Sequence, residues 1–132
     1  MNVSQMNALH KTDIIAEGDI SNLVHTFYTK VRKDDFLAPV FNEIIKEDEW
    51  EHHLGIMCDF WSTMLLYSRK YLKDPMTKHL VLPLTQKHFE RWLALFTETV
   101  DELFVGKVAN DAKIRANNIA RIMQAVIEKK RT

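Results

Sequence analysis

The chain is short of the residues that make tight turns and cross-links. Its 132 residues include three glycines, three prolines and one cysteine. All-β folds need turn residues every few positions, so this scarcity argues against them. The single cysteine, Cys58, excludes an intrachain disulfide and a thiolate zinc cluster. It suits a reducing compartment without requiring one. Neither sign of charge is in excess, with 18 Lys and Arg against 18 Asp and Glu. No overall basic field attracts nucleic acid or an anionic membrane, and neither is expected as a partner. The longest obvious uncharged apolar stretch, residues 60–68, falls far short of the roughly 20 residues of a membrane helix. The N-terminus is polar and lacks the apolar segment of a secretory signal, which makes the cytoplasm the expected location. This length suits one domain with a real core. We expect residues 1–12 to form an N-terminal arm and residues 13–132 a single domain.

What is present is helical periodicity. Asp19 reads as an N-cap, followed by Ile20, Leu23, Val24, Phe27 and Val31 on one stripe. That helix should end near Lys33, Asp34 and Asp35. Pro39 suits the first turn of a short helix carrying Phe41, Ile44 and Ile45. A long helix is expected from Asp48 or Glu49, with Trp50, His53, Leu54, Met57, Phe60, Trp61, Met64 and Leu65 on its apolar face. Asp74-Pro75 marks another start, and Pro83 disfavours helix at Leu82, so His79 falls near the middle of a short segment. Thr85 can cap a helix striped by Phe89, Trp92, Leu93, Phe96, Val100 and Leu103. Gly106 separates it from a last helix lined by Ala112, Ala116, Ile119, Ala120, Met123, Val126 and Ile127. No segment alternates as a strand does. The expected class is all-α, with the last two helices antiparallel.

Residues 50–96 set two histidines, His53 and His79, among aromatic and methionine positions. An imidazole facing a large apolar pocket needs a partner, and haem iron between flat aromatic walls is one such partner. On spacing alone, a loop histidine explains His79 more simply, and a hydrogen-bonded core histidine explains His53. Tyr28 is a phenol on a buried stripe and needs a hydrogen-bond partner, which backbone would also supply. Phe41, Met57, Phe60, Trp61 and Trp92 could clamp a flat cofactor, or form plain core. Trp92 also carries an N–H donor. Cys58 reads as an inert thiol. Arg69, Lys70, Lys73 and Lys78 flank the approach to His79 and could meet carboxylates of a cofactor, or simply be solvated. Glu49-x-x-His52 has the spacing of di-iron helical bundles, but no second copy exists. A zinc site from His52, His53 and His79 lacks the close ligand spacing of known sites.

Together these blocks resemble the truncated haemoglobins, most closely their third group. The likeness spans about residues 12–130. It runs through Phe27-Tyr28-x-x-Val31-x-x-Asp34, Pro39-Val40-Phe41 and Trp50-x-x-His53-Leu54-x-x-Met57-x-x-Phe60-Trp61. It continues through Tyr71-x-x-x-Pro75-x-x-x-His79 and Phe89-x-Arg91-Trp92-Leu93-x-Leu95-Phe96. The glycines are isolated, Gly18, Gly55 and Gly106, whereas the first two groups carry Gly-Gly pairs. The resemblance implies a shortened globin fold, a two-over-two helical sandwich around one haem b. It implies His79 as the proximal iron ligand and Phe41 packed on the haem. It places Tyr28, His53, Met57 and Trp92 around the distal side. The expected ligand is a diatomic gas, oxygen first, with nitric oxide and carbon monoxide as further ligands. The alternative is a haem enzyme for nitric oxide dioxygenation or peroxidase-like chemistry, which would call on a reductase. A haem-free helical interaction module is the third reading.

Overall fold

A computed structural model describes residues 11–70 and 84–131 of the chain. Among these residues it has five α-helices: α1 (Glu17–Lys33), α2 (Ala38–Ile44), α3 (Trp50–Leu66), α4 (Gln86–Leu103) and α5 (Lys107–Arg131). A single 3-10 turn, Glu47–Glu49, leads into α3. Tyr71, Lys73, Asp74, Pro75, Lys78, His79 and Pro83 lie outside the described residues.

The helices form two antiparallel pairs, one laid on the other. In the first, Tyr28 near the end of α1 meets Trp50 and His53 at the start of α3, while Glu17 at the start of α1 bonds Ser62 near the end of α3. In the second, Asp101 pairs with Lys113 beside the short α4–α5 connection, and Phe89 packs with Ala120, Met123 and Ile127 at the far end. This is the expected two-over-two arrangement. The pairs cross where Phe27 of α1 meets Phe96 edge-on at 5.2 Å and Trp92 at 5.6 Å. Phe27 and Phe96 are fully buried, and each contributes roughly 1.5–3 kcal/mol through burial. α5 brings Ala109, Ala112 and Ala116 to this core, small side chains that allow close approach to its neighbours.

Helix starts differ from expectation in one place. α1 begins at Glu17, and Asp19 lies in its first turn instead of preceding it. From there its carboxylate reaches back to accept the N–H groups of Ile15 at 3.0 Å and Ala16 at 3.1 Å. Asp19 thus takes the N3 place of a capping box, holding the backbone that leads into the helix instead of capping the first-turn N–H groups. Thr85 does precede α4, and His88 Nδ1 accepts its backbone N–H at 3.0 Å. α3 ends at Tyr67, a left-handed residue with φ of 58°.

Two aspartates fasten the frame. Asp34, just past α1, accepts the N–H groups of Phe36 and Leu37 and so turns the chain into α2. Its other oxygen takes the Arg91 guanidinium of α4 at 2.7 and 2.8 Å. Asp13 accepts from Val108 at 2.9 Å and Ala109 at 2.8 Å, the first turn of α5, where the helix dipole favours an anion. Beside it, Thr12 pairs with Phe104, and its carbonyl takes the Val105 N–H. Gly106 has φ of 147°, and a Cβ there would lie 2.4 Å from the Asp13 side chain. The expected break at Gly106 is thus both a conformational and a packing requirement.

The bond from Arg91 holds the Asp34 carboxyl below the usual carboxylate range, and the backbone N–H groups of Leu37 and Phe36 add to this against partial burial. A folded-state pKa below the unfolded value gives stability that is complete above the unfolded pKa and fades as pH falls through the folded one. Asp34→Asn should therefore lower the melting temperature by a few degrees at neutral pH. It should also flatten the fall in stability below about pH 5. Thermal melts from pH 3 to 7 check both.

Candidate functional site

The first pair of helices and α4 enclose a buried phenol. Tyr28 is 3% exposed and sits on the inner stripe of α1 one residue after Phe27. His53 meets it edge-on at 5.5 Å, and Trp50 lies tilted against it at 6.0 Å. Burial pushes the Tyr28 hydroxyl far above the ordinary tyrosine range, and a hydrogen bond from Trp92 only partly opposes this. Indole N–H is donor only, so the Tyr28 oxygen is the acceptor. The phenol proton therefore remains for donation elsewhere. Trp92 was expected as a donor in its own right, and the structure aims that donor at Tyr28.

Behind this pair stands a stack of rings. Trp92 lies parallel to Phe96 at 5.7 Å, and Phe96 lies parallel to Trp61 at 4.8 Å. Met57 and Trp61 are buried in the core shared by α1, α3 and α4. Phe60 is half-buried and meets Trp61 edge-on at 5.4 Å. His53 is half-buried, with its Nε2 atom inside.

Beside Trp92 a shallow pocket opens toward solvent. Among the described residues, Phe41, Trp92, Phe89 and Leu84 give it apolar walls, with Ile119, Ala120 and Met123 of α5 facing them. Its polar lining residue is His88. Its lining among the described residues is mostly apolar with one polar residue, the make-up of small-molecule sites. Flat aromatic and aliphatic surfaces around such a space suit a planar apolar cofactor. Phe41 and Trp92 both line this pocket. His88, Leu84 and the α5 residues were not named as site residues. Their signal was available: His88 lies one turn before Trp92, and Ile119, Ala120 and Met123 share one helical face.

His88 stacks on Phe36 at 4.2 Å with an interplanar angle of 9°. Burial lowers its pKa. An Nδ1 that accepts the Thr85 N–H must be unprotonated, which agrees. Elsewhere, Lys70 pairs with Glu17 at 3.2 Å. Glu49 and His52, the di-iron spacing, are both exposed, and Glu49 bonds the Lys46 N–H. Burial pushes the Cys58 thiol up, and Asp59 and Glu17 push it further, which disfavours the reactive thiolate.

The geometry defines a shortened globin frame with a buried phenol–indole pair beside an aromatic cavity. The family profile of the bacterial-like globins matches residues 13–127, and the chain belongs to that family, among its truncated haemoglobins. It is 38% identical over 122 residues to the group 3 truncated hemoglobin ctb of Campylobacter jejuni, covering 90% of this chain and 96% of the relative. The crystal structure of group III truncated hemoglobin from Campylobacter jejuni superimposes with a TM-score of 0.81, covering 89% of this chain and 94% of that one. Membership of the globins implies haem-based gas binding. No helix among the described residues is long and apolar enough to cross a membrane.

The burial of Tyr28 has a direct readout. Alkaline difference absorbance at 295 nm, parent against Tyr28→Phe, should show no phenolate from Tyr28 through its ordinary titration range near pH 10. A Tyr28 signal there, with the fold intact, would contradict an enclosed phenol.

Proposed function

We propose that the protein binds a diatomic gas, oxygen first, at a haem b whose iron His79 holds from the proximal side. The observation that carries this reading is the buried Tyr28, kept protonated and accepting from Trp92. A phenol with one lone pair already engaged has its proton to give, and in a water-poor chamber that donation is stronger than in solvent. When bound, the haem supplies the iron position for the gas and any one-electron chemistry.

The chain's own residues divide the remaining work. Phe41 and Trp92 flank the cofactor space, and the aliphatic residues of α5 exclude water from it. Trp92 orients the Tyr28 hydroxyl and polarises it. Tyr28 donates to the partial negative charge on the distal ligand. His53, 5.5 Å from Tyr28 with its Nε2 inside, stands at the edge of the same space. Met57, Phe60 and Trp61 support these residues from the core. Strong donation favours slow release, which suits neither bulk transport nor rapid exchange.

The same donor pair favours a second reading, a haem enzyme that oxidises nitric oxide with a reductase as electron source, or acts as a peroxidase. Rapid consumption of nitric oxide by the oxygenated protein, sustained by a reductase, would select it. Slow consumption with simple reversible binding selects storage or sensing.

Titration of the purified chain with haem should give a stoichiometric Soret band and a histidine-ligated ferrous spectrum. His79→Ala should lose that ligation signature. No saturable haem binding by the parent would sink the reading, and an unchanged spectrum in the variant would move the ligand to another histidine. Tyr28→Phe, which deletes one hydrogen bond of about 1.4 kcal/mol, should speed oxygen release about tenfold. A change smaller than twofold would remove Tyr28 from the ligand's partners.

A further inference from the structure

Arg32 has no role in the site as described, yet it covers the outside of it. It lies on α1 one turn beyond Tyr28. Its guanidinium carbon sits 4.6 Å from the centre of the Trp50 ring. Glu47 holds the guanidinium from its outer side, accepting from Nη2 with both carboxylate oxygens at 3.0 Å. Trp50 opens α3 and is 3% exposed, so the guanidinium occupies a ring face that would otherwise meet water. The same indole meets His53 edge to face at 5.6 Å, with an interplanar angle of 86°, and Tyr28 at 6.0 Å.

The chain of contact thus runs from a surface cation, through one indole, to the two rings nearest the distal space. A guanidinium suits the outer place, because it is flat, weakly hydrated and attracted to the indole face. Glu47 is 90% exposed, so the ion pair is screened by solvent, and the stacking on Trp50 is the firmer of Arg32's two contacts. The clamp is tertiary: Arg32 comes from α1, Trp50 and His53 from α3. His53 is half-buried with its Nε2 inside, a ring between solvent and Tyr28.

We propose that Arg32 is a positioning residue for the distal space: through Trp50 it holds the His53 ring over Tyr28 and slows the entry of gas. The proposal rests on the gas-binding reading above. An indole covered by a guanidinium on one face and met by two further rings has few orientations open to it. Without its outer cover it can swing, and the His53 ring gains the same freedom.

The test is Arg32→Met, which keeps an apolar stem and removes the planar cation. In the haem-loaded ferrous protein, carbon monoxide association after flash photolysis should rise at least fivefold, with dissociation unchanged within twofold. Magnetic resonance of the same variant, with and without haem, should show faster exchange of the Trp50 indole proton and broadened His53 ring signals. Association within twofold of the parent, or unaltered Trp50 and His53 signals, overturns the proposal. A parent that forms no Soret band overturns the gas-binding reading instead, and the ring signals of the haem-free chain then decide the clamp alone. If Arg32→Met does not fold, Arg32→Lys keeps the charge without the flat face. It should speed association at least twofold, and no change overturns the proposal.

Discussion

The crossing of α1 over α4, made by Phe27 against Phe96 and Trp92, is the contact on which the other features depend. Both phenylalanines are fully buried, and their edge-to-face contact sets the distance between the two helical pairs. Because Tyr28 follows Phe27 directly, the crossing also sets where the phenol can reach. Because Trp92 precedes Phe96 by one helical turn, it decides that an indole N–H meets that phenol. Core and chemistry share one set of side chains, so a substitution at Phe27 or Phe96 would move the Tyr28–Trp92 bond as well as lower stability.

Charge is used at the edges of this apolar centre. Asp34 ties the end of α1 to the start of α2 and to α4, and Asp13 ties the chain before α1 to the start of α5. For Asp13, burial pushes the carboxyl up, but the backbone N–H groups of Val108, Ala109, Ile14 and Lys107 outweigh it and hold it below the usual range. Asp13 satisfies first-turn donors of α5 that would otherwise lack partners, and Asp34 satisfies those of the turn that leads into α2. The outer ion pairs, such as Lys30 with Glu102, are solvent-exposed and weakly stabilising by comparison.

Most of the frame was legible because helical period and burial coincide. The stripes through Phe27, Trp50, Phe96 and Ala116 are the buried faces, and Thr85 and Gly106 lie where they punctuate helices. What was not legible depends on tertiary register. Arg91 and Asp34 are 57 residues apart, and Asp13 lies 95 from Val108, so neither pair has a local signature. The start of α1 was misplaced by three residues because Ala16 carries no capping side chain and Asp19 instead reaches back from within the first turn. At the site, period alone showed that Ile119 and Met123 face inward, and it left His88 off the apolar stripe. It did not distinguish facing a cavity from facing core. Likewise, Trp92 was legible as a donor, but its acceptor follows from how α1 crosses α4.

The tryptophans carry one more consequence. The chain has three, and Trp50, Trp61 and Trp92 all belong to the cluster of rings around Tyr28 and Phe96. None lies elsewhere to contribute background emission. The intrinsic fluorescence of the whole protein is therefore an optical record of this one region. A planar chromophore seated beside Trp92 would quench it by energy transfer, so cofactor loading can be followed without any label.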